Sequence, residues 1–293
     1  MARFNQTVLM SGVDYFDDGQ AINPFMIQTE AIDLAKAKAE HDAIRQAFES
    51  AGITVKTVPP PAGCQDGVYT ANWALVRNGL AVMARLPNAR KAEEIYAEHA
   101  LLNQSLKIIQ LPDGLKFSGQ GDALPCGDLL FCGSQYRSDV PAQQFVADTL
   151  GFRRIQLQTV PLLDSQEIPV TNEVSGWPDS FFYDLDLALS VLKYPEADQK
   201  GLIAWCPDAF VPESQQILRQ LEDVDKIEVS LDEAKRAFAC NLVSTGETVI
   251  MNDGALQLTQ AIQDHGLKTI LLKNPELGKG GGSIRCTSLT LDN

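Results

Sequence analysis

Histidine is scarce in this chain, with three residues among 293. His41 and His99 fall inside helical segments, and His265 precedes Gly266 at a helix C-terminus, where positive charge suits the helix dipole. All three read as surface or helix-end residues, and no Cys-His or Ser-His arrangement appears. Basic charge is also short: 24 Lys and Arg stand against 38 Asp and Glu, a net charge of −14. That balance excludes the basic patch a nucleic-acid partner needs, and it fits a cationic small substrate. No apolar run reaches the roughly 18–20 residues that span a bilayer, so no membrane partner is expected. The opening MARFNQTVLMSG has one early Arg and no apolar stretch of about 7–15 residues, unlike a secretory signal. A cytoplasmic protein is the expectation. Paired cysteines are missing too: the six, at 64, 126, 132, 206, 240 and 286, form no CxxC. Free thiols are expected, with no structural zinc and no metal or cofactor. Low-complexity segments are absent, and with 45% hydrophobic residues the chain can bury a sizeable core.

The periodicity is repetitive. An apolar TVLMSG at 7–12 precedes a helical segment from about Thr29 to Ser50, a stop at Gly52, and the strand ITVKTV. In the second unit WALVRNGLAVMARL reads as two strands about the turn Arg77-Asn78-Gly79, an Asn-Gly hairpin signal. The helical ARKAEEIYAEHALL and the strand KIIQL follow. GDALPCGDLLFCG, PAQQFVADTLG and RRIQLQTV make a third unit. FYDLDLALSVL, GLIAWCP, PESQQILRQL and KIEVS make a fourth, and AFACNLVSTGETVIMN, ALQLTQAIQDHG and LKTILL a fifth. Five ββαβ units at a spacing near 50 residues imply radial or solenoid repetition. The last strand, SIRCTSLTL, has no following helix and is placed to close a ring on the first unit. The competing architecture is a doubly wound α/β sheet, which would need single strands where hairpins recur here. No linker divides the chain. The segment at 165–180 reads as a surface loop near a site.

Four stretches carry candidate chemistry. In NPELGKGGGSIRCTSLTL, Gly278, Gly280, Gly281 and Gly282 precede a β-patterned strand bearing Cys286. This is no phosphate loop, because Lys279 is followed by glycines and a strand rather than by Ser or Thr and a helix. A cysteine in a strand is ordinarily a buried small hydrophobe; a flexible glycine loop beside it favours a nucleophile. GCQDGVYTANWALV places Asp66, Thr70 and Asn72 where a loop turns polar groups inward, or where they serve turn and cap chemistry. KFSGQGDALPCGDLLF marks a tight turn at Gly119, Gly121 and Asp122. In FFYDLDLALSVL, Asp184 and Asp186 share one face if the segment is a strand. Buried acids need partners, so a cationic ligand is natural there. A metal pair is the competing reading, without a histidine or further acids to support it.

Taken in order, these stretches resemble the guanidino-group-modifying (pentein) superfamily, which holds dimethylarginine dimethylaminohydrolases, arginine deiminases, amidinotransferases and arginine dihydrolases. The resemblance runs from TVLMSG and INPFM through QDGVYTAN, MARLPNARKAEE, FSGQGDAL and YDLDLALSVL to GGGSIRCTSLTL. The VYTAN and GQGD forms look closest to the arginine dihydrolase branch. It implies an α/β five-bladed propeller in a single domain, 1–293, without a cofactor. It also implies that Cys286 attacks a guanidinium carbon and expels ammonia or an amine, and that water then hydrolyses the covalent intermediate. Asp66 and Asp186 match carboxylates that hold guanidinium nitrogens, and Asn72 matches the asparagine of the TAN motif. Arg90 and Arg137 match residues that grip a substrate carboxylate. Two positions depart from the pattern. Asp184 stands where the family has the histidine of His-x-Asp, its usual acid and base, and Ser118 stands where it usually has Glu. Two readings follow. One is an amidine hydrolase acting on arginine or a derivative to give citrulline or ornithine, with Asp184 in the acid/base place. The other is a catalytically impaired relative that binds an arginine-like ligand. A homo-oligomer is compatible with either.

Overall fold

A computed structural model describes residues 3–26 and 31–293. The chain forms five separate three-stranded sheets, which rules out a single doubly wound sheet. The first unit holds β1 (Thr7–Met10), α1 (Leu34–Ser50) and β2 (Thr54–Thr57). The second holds β3 (Ala74–Arg77), β4 (Leu80–Met83), α2 (Lys91–Leu102) and β5 (Lys107–Ile109). The third holds β6 (Ala123–Cys126), β7 (Leu129–Ser134), α3 (Val140–Leu150) and β8 (Arg153–Gln158). The fourth holds β9 (Leu189–Lys193), β10 (Gly201–Trp205), α4 (Pro212–Gln220) and β11 (Val224–Glu228). A short α5 (Leu231–Arg236) leads to the fifth, β12 (Val243–Ser244), β13 (Thr248–Asn252), α6 (Leu256–Asp264) and β14 (Lys268–Leu272). After α7 (Pro275–Lys279), β15 (Leu289–Thr290) returns to the first unit and pairs antiparallel with β1, Val8 opposite Thr290.

Each sheet is built alike. An inner strand pairs antiparallel with a middle strand, and a helix crosses over to an outer strand that pairs parallel with the middle one. The middle strands lie between two partners and under a helix, so they read as continuous apolar runs: every residue of β7 and β10 is buried. The outer strand β2 is mostly exposed. The inner strands meet at the centre, β15 beside β3, β6 beside β9 and β9 beside β12, while α1 packs on α7 and β14 to join the fifth unit to the first. This is the five-bladed α/β propeller.

Local chemistry sets the boundaries. Asn78 and Gly79 take φ of 50° and 76°, the two positive values a tight two-residue hairpin requires. Asp33 caps α1, its carboxylate accepting from the backbone N–H groups of Ala35 and Lys36 at 3.1 Å each. The helix therefore starts at Leu34 rather than near Thr29, and Thr29 itself lies outside the described residues. The loop expected at 165–180 lies over the segment that precedes Ile22, with Asn172 Nδ2 donating to the Ala21 carbonyl at 3.1 Å. Among the described residues, no helix is long and apolar enough to cross a membrane, and no group of three or more side chains is arranged to hold a metal ion.

Candidate active site

Five turns, one before each inner strand, converge at one end of the central axis. A 3-10 turn at Thr70–Trp73 precedes β3, one at Gly119–Gly121 precedes β6, and one at Leu185–Leu187 precedes β9. The Asn241 N–H donates to the Phe238 carbonyl before β12, and the Thr287 N–H to the Ser283 carbonyl before β15. These turns put Asn72, Ser118, Asp184, Asp186, Asn241 and Cys286 together although they come from across the sequence. Two expectations are corrected here. Asp184 precedes a 3-10 turn and Asp186 lies within it, rather than the two alternating along a strand, and Cys286 sits on a turn three residues ahead of β15. In both places the backbone must bend to aim side chains down the axis, which a straight strand cannot do.

Cys286, Asp66, Asn72, Arg90 and Arg137 line one narrow cavity, together with Asn23, Tyr69, Tyr183, Gly280 and Gly282. The glycines are required by close approach. A Cβ on Gly282 would lie 2.6 Å from the Tyr69 ring and 2.9 Å from the Cys286 Cβ. The tyrosines tie this loop down, Tyr69 donating to the Leu277 carbonyl at 2.6 Å and Tyr183 to the Gly281 carbonyl at 2.7 Å.

Asn72 is the hub of the acidic side. Its Nδ2 donates to Asp184 Oδ2 at 2.7 Å and to Ser118 Oγ at 2.9 Å, and its Oδ1 accepts from Arg90 at 2.9 Å. The Cys286 thiol donates to Asp186 Oδ2 at 3.5 Å and its sulfur accepts from Asn241 Nδ2 at 3.1 Å. Deeper on the axis, the buried Arg285 donates to Gln120 Oε1 at 2.7 Å. Arg90 is held by Glu93 through contacts of 2.9 and 2.7 Å and also donates to the Asp66 carbonyl. Arg137 donates to the Ile22 carbonyl at 2.7 Å, with its guanidinium 4.6 Å from the Tyr183 ring centre. Of the two arginines, Arg90 is engaged by its ion pair with Glu93, whereas Arg137 has no ion pair among the described residues. Glu93 and Asn241 belong to the site, and no motif pointed to either. Glu93 was concealed as one acid of a charged helical run, three residues after Arg90; that spacing was the available signal.

Burial dominates the electrostatics. It raises the Asp66 carboxyl to about 6, with Arg90 opposing. It lifts Asp184 above the ordinary range against the pull of Arg137, Ser118 and Asn72. Asp186 and Asp122 are pushed further, by burial first and then by the Asp184 charge. The Cys286 thiol is raised well above its usual value by burial and by Asp186 and Asp184, so it is protonated at neutral pH without a ligand. For Arg90, the neighbouring Glu93 more than offsets desolvation and keeps the guanidinium charged. One oxygen on each of Asp66, Asp122, Asp184 and Asp186 is buried with no hydrogen-bond partner among the described residues. Buried acceptors left so are costly; of these four acids, Asp66 lines the cavity that holds Cys286.

The fold is shared with solved structures. The N-terminal domain of ArgZ, captured with a covalently bound reaction intermediate, superposes with a TM-score of 0.83 at 25% identity, covering 98% of both chains. A dimethylarginine dimethylaminohydrolase structure superposes at 0.73 with 20% identity and shares the fold. No protein-family model matches the chain. In sequence it is 30% identical over 277 residues to the N(G),N(G)-dimethylarginine dimethylaminohydrolase of Mycobacterium tuberculosis, covering 94% of this chain and 83% of that one. It is 28% identical over 288 residues to the bifunctional arginine dihydrolase/ornithine cyclodeaminase AgrE of a Nostoc species, 96% of this chain and 37% of the larger enzyme. The chain belongs to the guanidino-group-modifying superfamily, in the group that contains the dimethylarginine dimethylaminohydrolases and arginine dihydrolases.

Proposed function

We propose that the protein is an amidine hydrolase in which Cys286 attacks the guanidinium carbon of arginine or an arginine derivative. The observation that carries this reading is the cavity itself, where the Cys286 thiol, backed by Asp186, meets Asp66, one of whose buried carboxylate oxygens has no partner among the described residues. Asp66 and Asp186 accept from the guanidinium nitrogens, and Asn72 and Ser118 hold Asp184 beside them. Arg137 takes the substrate carboxylate; Arg90, already paired with Glu93, acts at short range by fixing Asn72 and the Asp66 turn.

The chemistry follows from charge. A bound guanidinium offsets the burial and the carboxylate repulsion that keep Cys286 protonated, and the thiol proton passes to Asp186 Oδ2, its acceptor in the free protein. The S–C bond forms and a C–N bond breaks. The leaving nitrogen departs as ammonia or an amine, with a proton supplied by Asp184, whose carboxyl burial lifts above the ordinary range. Water then adds to the carbon and gives a proton back to Asp184. The C–S bond breaks as the added hydroxyl becomes the ureido carbonyl and loses its proton to solvent, freeing a ureido product such as citrulline and the thiolate, which recovers its proton from Asp186. A second reading, a relative that binds the guanidine and stalls, is favoured by one observation. No histidine reaches the site: His41 and His99 lie on α1 and α2, and His265 ends α6. The test is release of ammonia, amine and ureido product from arginine, methylated arginines and agmatine, with Cys286→Ala as control. Turnover that survives in Cys286→Ala refutes the mechanism, and ligand-induced thermal stabilisation without product supports the second reading.

A further inference from the structure

Asn241 closes the turn ahead of β12, and its side chain is wholly buried. Its Oδ1 accepts from the backbone N–H groups of Ser283 and Arg285 at 3.1 Å and of Cys286 at 3.3 Å. Three donors converging on one atom settle which end of the amide is oxygen. The other end is the NH2 group, and it is the end that faces Cys286 Sγ at 3.1 Å. The turn that aims it is pinned from behind. Asn252 Nδ2 donates to the Ala237 carbonyl and to Ser283 Oγ at 2.9 Å each, and Asn274 Nδ2 donates to Asn252 Oδ1 at 2.7 Å. Phe238, at the start of the turn, holds a φ of 48°. A ring-bearing residue in that left-handed region is strained and persists where the surroundings enforce it.

We infer that Asn241 is a catalytic residue in contact with the reacting sulfur: its carbonyl pins the turn that presents Cys286, and its NH2 group stabilises the thiolate. The inference rests on the reading of Cys286 as nucleophile and adds to it the group that receives the anion. An NH2 group only donates, so it favours the charged sulfur, whereas the neutral thiol has Asp186 Oδ2 as its acceptor. Each protonation state thus has its own partner, and loss of the proton to Asp186 leaves the sulfur facing Asn241. The one residue therefore combines a structural and a chemical task, which different substitutions separate.

The experiment is alkylation of Cys286 by iodoacetamide as a function of pH, followed on the Cys286 peptide by mass spectrometry. The thiolate displaces iodide and an S–CH2 bond forms, so the rate reports the thiolate fraction without requiring turnover. Asn241→Asp keeps an oxygen for the three backbone N–H groups and places an acceptor at the sulfur; Asn241→Ala removes both. In each, the alkylation midpoint is expected to rise by about one pH unit or more, roughly tenfold slower labelling below it. Asn241→Asp should keep nearly the wild-type melting temperature. An Asn241→Asp variant that is folded and alkylates with the wild-type pH profile overturns the inference, and it decides the matter even if Asn241→Ala does not fold. Failure of the nucleophile reading shows elsewhere, as turnover surviving Cys286→Ala, and leaves the alkylation result intact.

Discussion

Replacing Asp66 by Asn should make the free protein more stable and unable to hold a guanidine. Asp66 is 1% exposed, and one of its oxygens has no partner among the described residues. Burial raises its carboxyl from 3.8 to about 6, a difference that corresponds to about 3 kcal/mol. The sign is set by the raised value. The folded state binds the proton more tightly than the unfolded chain, so stability is full below pH 3.8 and is lost as pH rises through about 6. At pH 8 the carboxylate is ionised and the whole cost is present. Asn keeps the shape and still accepts from Gln65 Nε2, which lies 3.3 Å away, while Arg90 retains Glu93. The variant should therefore gain about 1–3 kcal/mol at pH 8, equivalent to a melting temperature higher by about 5 °C. At pH 3.5 the gain should vanish, because wild-type Asp66 is then neutral. Binding moves the other way, weakening by about 100-fold when one member of a buried charge pair is removed. Thermal melts at the two pH values, with and without arginine, test both halves. A variant destabilised at pH 8, a gain equal at both pH values, or undiminished ligand stabilisation refutes the reasoning.

Other perturbations follow the same electrostatics. Glu93→Gln leaves the buried Arg90 charge uncompensated and should cost about 3–5 kcal/mol in urea unfolding; a loss below 1 kcal/mol would show that Arg90 has another counter-charge. His41 is buried, its Nε2 without a partner among the described residues, and burial lowers it from 6.5 to about 4. The unfolded chain takes up this proton first, so stability falls by about 3 kcal/mol as pH drops from 6.5 to 4. His41→Leu should flatten that part of the urea-midpoint profile, and an unchanged profile contradicts it. Asp184→His restores an imidazole at the leaving group. It should speed ureido-product release by about 100-fold or more; a rate equal to or below wild type means that Asp184 already performs the transfer.

The five units were legible because strand and helix periods, the Asn-Gly turn and the terminal strand without a helix are local signals. β15 pairs with β1 as that pattern implied. The axial turns were less legible. Their backbones bend at Leu185–Leu187 and around Cys286 to serve an axis that only the closed ring creates, so alternation placed both segments in strands. The pairing of Asn72 with Asp184 joins residues 112 positions apart, and nothing near either predicts it. Asn241 stands in an apolar run that resembles any inner strand. His41 was expected at the surface, yet it follows Ala37 by four and precedes Ile44 and Phe48 on the buried face of α1. Helical spacing contained that answer.

The most direct measurement is intact mass spectrometry of the protein quenched during incubation with arginine and related guanidines, with Cys286→Ser in parallel. The account predicts a covalent amidino adduct on one thiol, mapped to the Cys286 peptide and absent from Cys286→Ser. An adduct on another cysteine, or product formed at the same rate by Cys286→Ser, would contradict it.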